Sequence, residues 1–381
     1  MTRLTGAMTV ALCSVLATGA LADRTLNYAY GFPPGSDADL AAQTYADALA
    51  EFSDGALGMD IYPMSLLSFL ETADGVRDGM ADIGWTVPAY APALFPSTNM
   101  LAELNMQTLF AGRSHSLNLA YAGAMGEFVM LHCDSCQAEY TAHNQLYTGF
   151  AASPTYGMQC ISPVTTMADL KGKRMRVAGA QWARWTAAVG ATSVSLPLNE
   201  IFEGLSQGVI DCVITSTPEL TNMGLVDVVK AIELNIPGGT FASNAMANVN
   251  LDVWRDLSEP ERLAMLKAAA RYSADVTWRY EMADREARET AREAGIEIVT
   301  ADAELLAFTE EFARSDAVDT IGPNYADKYG LDGAPEMIAE FLTVLERWVA
   351  LTADVETVEE LEQLYWDEVY AKLDLAGYGM N

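Results

Sequence analysis

Histidine and cysteine are scarce in this chain, with three and five among 381 residues. His115, His132 and His143 show neither the spacing of metal ligands nor a Ser/His/Asp arrangement. A glycine loop of the phosphate-cradling type is missing, as is a Gly-x-Ser-x-Gly elbow, so nucleotide chemistry and serine hydrolysis have no foothold. Acid pairs are plentiful, but in so acidic a chain they discriminate nothing. The expectation is therefore a protein that is not an enzyme and carries no cofactor and no metal. Basic residues are also few, 22 against 52 acidic ones for a net charge of −30. That balance argues against nucleic acid and anionic membrane surfaces as partners. No apolar run approaches the ~20 residues of a spanning helix, and low-complexity linkers and internal repeats are absent.

What is present is apolar residues in quantity, 51% of the chain. A single core stops growing near ~250–300 residues, so a chain of this length divides into two domains. The first 22 residues read as a secretory leader. Arg3 supplies the positive end, Met8 to Ala17 the apolar core and Ala20-Leu21-Ala22 the small-residue cleavage pattern, which implies export with cleavage after Ala22. Cys13 has too little apolar sequence before it for a lipoprotein.

Four cysteines would remain after cleavage: Cys133, Cys136, Cys160 and Cys212. In an exported chain they suggest disulfides, with three possible pairings. Cys133 with Cys136 and Cys160 with Cys212 is favoured, because the second pair should fall on strands of one domain. A structural zinc site usually takes four ligands, and no second close pair is present. A redox Cys-x-x-Cys normally opens a helix after a strand, whereas helix-like sequence precedes Cys133. An exported thiol–disulfide protein using Cys133 and Cys136 is nevertheless the alternative reading from another functional class.

Strand and helix patterns alternate along the chain. Thr25 to Tyr30, Leu57 to Tyr62, Ile83 to Thr86 and Leu146 to Phe150 read as strands, with a helix from Ser36 to Phe52 and another over Glu71 to Asp78. Such alternation implies parallel sheets with crossover connections. Ser258-Glu259-Pro260-Glu261 is a capping box, and helix-favouring sequence runs on to Ala294 with Gly295 as its stop. At 1.5 Å per residue this helix would be about 54 Å long, enough to span both domains. Further amphipathic helices are expected over Pro335 to Leu351 and Val358 to Leu373.

The most informative stretch is 169–218. It holds Asp169-Leu170-Lys171-Gly172-Lys173-Arg174-Met175-Arg176-Val177, a helix-like run to Gly190, then Pro197-Leu198-Asn199-Glu200-Ile201-Phe202 and Gln207-Gly208-Val209-Ile210-Asp211. Period-2 alternation turns Met175 and Val177 to one face and Arg176 to the other. Ala178-Gly179 ends that strand, so Arg176 sits where a strand hands over to a helix, the edge at which open α/β sheets bind ligands. The planar guanidinium fork can take both oxygens of a carboxylate.

In order and spacing this stretch strongly resembles the extracytoplasmic solute-binding subunits of TRAP (tripartite ATP-independent periplasmic) transporters. The likeness extends to Tyr28 to Ser36, Ile61-Tyr62-Pro63 and Asp78-Gly79-Met80-Ala81-Asp82, and so covers most of residues 25–300. It implies an α/β, two-lobed periplasmic binding protein fold with a long helix bridging both lobes. The chain would divide into lobe I (23–152 plus about 239–275), lobe II (153–238 plus about 276–330) and C-terminal helices (331–381) packing on the lobes. The implied function is capture of a small organic anion, a mono- or dicarboxylate, in the periplasm, and its delivery to the membrane subunits of a TRAP transporter; the receptor itself would be a monomer. Arg176 would clamp the acid group. Tyr156, Thr215 and Ser216 would add polar contacts, and Phe32 and Trp85 would cover the carbon skeleton. Relatives that bind sialic acid have a second Arg where this chain has Tyr156. They also have Gln-Glu-Asn-Pro after the Asp equivalent to Asp211, where this chain runs Cys212 to Pro218. Trp85 and Val87, where those relatives have an acidic residue, point to a smaller or more apolar ligand. Lys173 and Arg174 are expected to be solvated.

Overall fold

The computed structural model describes residues 22, 24–111 and 117–380. The proposed leader with Cys13, and His115, lie outside them. Eleven strands occur among these residues. In chain order they are β1 (Arg24–Tyr30), β2 (Leu57–Pro63), β3 (Ile83–Thr86), β4 (Gln145–Leu146), β5 (Tyr156–Cys160), β6 (Arg174–Val177), β7 (Thr192–Ser195), β8 (Cys212–Ser216), β9 (Ala231–Glu233), β10 (Ala245–Asn250) and β11 (Glu297–Val299). They form a five-stranded sheet in the order β2-β1-β3-β10-β4 and a six-stranded sheet in the order β11-β9-β5-β8-β6-β7.

Both sheets are mixed, which corrects the expectation of parallel pairing throughout. β1 runs parallel to β2 and β3, but β10 returns antiparallel between β3 and β4. β5 lies antiparallel to β8 and β9, while β6 is parallel to β7 and β8. The reason is connectivity: β5 and β10 are the strands on which the chain enters or re-enters a sheet from the other one, without the crossover helix that fixes parallel direction. The strand expected over Leu146 to Phe150 shrinks to Gln145–Leu146, because β10 pairs in ladder register only with those two residues.

Local signals set the helices more faithfully. Ser36 caps Asp37–Phe52, accepting from the Asp39 amide at 3.3 Å. Glu261 reaches back to the Ser258 amide at 2.7 Å and opens a 35-residue helix, Glu259–Glu293. This helix packs along Asp37–Phe52 beside the first sheet and against β11 of the second. It therefore ties the two halves together, as the resemblance implied. Near the C-terminus, Ala334–Leu351 matches expectation, whereas the last helix ends at Glu368 before a short turn over Tyr370–Lys372.

Two disulfides are present, Cys133–Cys136 and Cys160–Cys212. Cys160 and Cys212 face each other across β5 and β8. Cys133 caps the helix Asp134–Ala142, so its pair opens a helix as well as following one. No described helix is long and apolar enough to cross a membrane.

Candidate functional site

A crevice between the two sheets encloses about 510 Å³ counted to its mouth, with walls from Phe32, Phe69, Trp85, Val87, Tyr90, Tyr156, Arg176, Leu198, Glu219, Phe241 and Tyr280 among others. Its first-sheet side is built where β1 and β3 end. Gly31 follows β1, and a Cβ there would lie 2.5 Å from the Phe69 ring, so the absent side chain is what admits Phe69. Phe69 stands edge-on to Phe32 at 4.9 Å, and Phe32 meets Trp85 at 4.6 Å between ring centroids. The Trp85 indole N–H donates to Asn244 Oδ1 at 3.0 Å, which fixes the ring's orientation.

The second-sheet side is built on β5 and β6. Tyr156 stacks on Trp182 at 4.4 Å and lies nearly parallel to Phe241 at 5.8 Å. Arg176 is 0% exposed. Its Nε donates to the Leu196 carbonyl and its Nη2 to the Tyr90 hydroxyl, each at 2.8 Å. Nη1 is buried and has no hydrogen-bond partner. Among the described residues no carboxylate forms an ion pair with Arg176. An uncompensated buried charge costs several kcal/mol, so the unpaired Nη1 is a costly group to leave without a partner.

Tyr90 closes the arrangement. It ends a 3₁₀ turn, Pro88–Tyr90, that follows β3 of the first sheet, yet its hydroxyl accepts from Arg176 and, at 3.1 Å, from the Leu198 amide on the second-sheet side. Burial pushes this phenol up, with the Arg176 charge pulling the other way, so it stays a neutral hydroxyl at physiological pH. Tyr90→Phe would leave the Arg176 Nη2 and Leu198 amide donors unpaired. An organic acid is expected to bind this variant about tenfold more weakly in calorimetry; unchanged affinity would show that these two contacts do not support binding.

Four of the six residues expected at the site from sequence share this crevice: Arg176, Tyr156, Phe32 and Trp85. Thr215 and Ser216 do not line it. They lie in β8, opposite Gly157 and Tyr156, buried with unpartnered hydroxyls. Arg174 is exposed, but it is not merely solvated: it forks onto Asp211 through Nη2 at 2.7 Å and Nε at 3.0 Å and holds that carboxyl below its ordinary range. The motif's Asp211 therefore braces β6 against β8. Lys173 reaches Ser162 Oγ at 3.1 Å.

Tyr90, Glu219, Phe69, Phe241 and Tyr280 were missed. The sequence positions compared with the relatives' ligand contacts stop at Val87 and at Pro218, three residues and one residue short of Tyr90 and Glu219. Glu219 carries no sequence signal, being one acid among 52. His132 pairs with Glu127 at 3.2 Å and His143 lies against Phe95, both away from the crevice walls. Groups able to hold a metal are absent among the described residues. Cys133 and Cys136 are buried and joined, and neither lines the crevice.

Comparison with known proteins agrees with this architecture. Residues 28–316 match the model of the bacterial extracellular solute-binding protein family 7. A 2,3-diketo-L-gulonate-binding periplasmic protein of Escherichia coli K12 is 25% identical over 209 residues. The match spans 54% of this chain and 61% of that relative. A marine metagenome TRAP solute-binding protein specific for aromatic acid ligands superposes with a TM-score of 0.71 at 20% identity, over 87% of this chain and 99% of the other. A TRAP periplasmic solute-binding protein from Bordetella bronchiseptica, solved with mandelate, gives 0.70 at 22% identity over 85% and 99%. Likeness at that identity speaks for the shared two-sheet fold. Solute binding, and not the thiol–disulfide alternative, is what the family model describes, and the match covers both sheets and the crevice between them. This chain belongs to the bacterial extracellular solute-binding protein family 7.

Proposed function

We propose that this protein is the periplasmic receptor of a TRAP transporter, exported by cleavage after Ala22, and that it captures a small organic monocarboxylate with an apolar, preferably aromatic, body. The single observation that carries the reading is Arg176, fully buried, without a counter-ion among the described residues, and with Nη1 unpaired on an aromatic crevice wall. Arg176 Nη1 takes the carboxylate, and Phe32, Trp85 and Tyr156 cover the carbon skeleton. Thr215 and Ser216, which do not reach the wall, act at most by supporting Tyr156. The ligands in the names of the relatives, aromatic acids, mandelate and a diketo-gulonate, support the acid class.

Binding works by closure of two lobes, lobe I (23–152 plus about 239–275) and lobe II (153–238 plus about 276–330), around the acid. The wall supports this division, since Phe32 and Trp85 come from the first-sheet side and Tyr156 and Arg176 from the second. Residues 331–381 brace the lobes, and the closed receptor, a monomer, hands the ligand to membrane subunits supplied by other chains.

A thermal-shift screen of organic acids tests the proposal. An acid present at about 100 times its dissociation constant adds about 2.7 kcal/mol of stability, a rise of several degrees. With the same acid, small-angle scattering should report a smaller radius of gyration. Failure of every organic acid to stabilise the protein overturns the receptor reading, and an unchanged scattering curve under demonstrated binding overturns closure.

A further inference from the structure

Glu219 is the crevice residue that the carboxylate clamp does not use. It opens the short helix Glu219–Asn222 directly after Pro218, is 3% exposed, and has an Oε2 without a hydrogen-bond partner. Groups from five segments face it: Tyr280 from the long helix, Asp37 from the start of Asp37–Phe52, Arg176 from β6, Tyr156 from β5, and Tyr90. Glu219 and Arg176 line the same wall yet form no ion pair.

Burial pushes the Glu219 carboxyl up to about 8. The Tyr280 hydroxyl and the Arg176 charge pull it down, and Asp37 reinforces the rise. Asp37 is itself pushed up by burial, and the Tyr280 and Tyr156 phenols are held well above their usual range, again by burial. At neutral pH the crevice then presents one positive charge and one neutral acid. Were Glu219 ionised, it would cancel the charge that Arg176 offers to an anion.

We propose that Glu219 reads the ligand as a neutral carboxylic acid, donating its O–H to an uncharged oxygen of a ligand whose single carboxylate is held by Arg176, so that the crevice accepts hydroxy- or keto-monocarboxylates and rejects dicarboxylates. This rests on the receptor reading above. A second ligand carboxylate would be buried beside Glu219 with no second cation among the described residues of the wall, and the cost of such a charge exceeds what the aromatic surfaces return. A hydroxyl or carbonyl on the ligand instead satisfies the orphaned carboxyl. The sign of the pH dependence follows: the binding-competent form is protonated, so affinity is full at neutral pH and falls as pH rises through the Glu219 pKa.

Three probes share one scaffold: benzoate, 3-hydroxybenzoate and isophthalate, titrated calorimetrically between pH 6.5 and 9.5. The order 3-hydroxybenzoate, benzoate, isophthalate is expected at pH 7, and 3-hydroxybenzoate should weaken about tenfold from pH 7 to pH 9 while taking up a proton on binding at the higher pH. Glu219→Ala should weaken it about tenfold at pH 7, and Glu219→Gln should recover most of that loss because the amide still donates. Both variants should show a flat profile. This separates Glu219 from Glu281, the other carboxyl held near neutrality, at about 7, which lies on the long helix and off the crevice wall. Without any ligand, carbon-13 NMR of carboxyl-labelled glutamate should show one resonance titrating in the alkaline range that vanishes in Glu219→Gln. A Glu219 resonance titrating in the ordinary carboxylate range, a pH slope that survives in Glu219→Gln, or isophthalate bound as tightly as 3-hydroxybenzoate each overturns the proposal. If none of the three acids binds, the aromatic-acid reading falls on its own, and the NMR arm still decides the charge state of Glu219.

Discussion

Arg176→Ala is expected to weaken binding of the cognate acid by roughly 30-fold to several thousand-fold. Truncating one partner of a buried charge pair costs about 2–5 kcal/mol, because the surviving charge enters the crevice uncompensated. Here the loss should lie in that range because Nη1 has no competing partner and no carboxylate among the described residues shares the guanidinium. Arg176→Lys keeps the charge but not the planar fork, and it also loses the geometry that engages Leu196 and Tyr90 together, so it should fall between the two. Lys173→Ala, which removes a contact to Ser162 away from the crevice, is the control, with a change under about threefold. Equal, near-wild-type affinities for Arg176→Ala and Lys173→Ala in calorimetry would end the carboxylate-clamp mechanism and leave the family membership standing.

The second large effect is on stability. Replacing both Cys160 and Cys212 by alanine should cost about 4 kcal/mol in urea unfolding, because the bond closes a loop with a sequence separation of 52. The Cys133–Cys136 bond closes a separation of only 3, and its removal should cost about 2 kcal/mol by the same loop-closure argument. Affinity should survive the Cys160 and Cys212 replacement at temperatures where the protein stays folded. The bond joins the end of the β5–β8 pair remote from Tyr156 and Ser216, so it staples the sheet without touching the crevice. Equal destabilisation by the two double variants would show that loop length does not govern the contribution of these bonds.

Several parts of the molecule follow from near neighbours in sequence. Ser36 starts its helix because its hydroxyl accepts from the Asp39 amide, the long helix starts where the Glu261 carboxylate accepts from the Ser258 amide, and Gly295, with φ +72, stops that helix where other residues would be strained. Met175, Arg176 and Val177 alternate because strand geometry leaves no other choice, and the two-residue exit through Ala178 and Gly179 puts Arg176 at a sheet edge. The motif order across 169–211 carried the family and, with it, the two-lobed fold.

Partners contributed from a distance could not be read this way. The direction of β5 and β10 depends on which strand of a sheet the chain meets on re-entry, and the shortening of β4 depends on where β10 stops pairing. Thr215 and Ser216 looked like ligand contacts because they follow the family motif, but the pairing of β8 with β5 buries them behind the wall. Tyr90, Phe69, Phe241 and Tyr280 converge on the crevice from four segments with no shared periodicity. Glu219 shows the division most clearly. Sequence supplies only an acidic side chain after a proline; its neutral, hydrogen-donating character arises from burial, reinforced by Asp37 and opposed by Tyr280 and Arg176, all of which meet it only in the folded molecule. Sequence by itself therefore determined the elements, the family and the cation, since each rests on local spacing. The tertiary structure alone decided strand direction, the crevice lining and the charge state of its acid, since each rests on contacts between residues far apart in the chain.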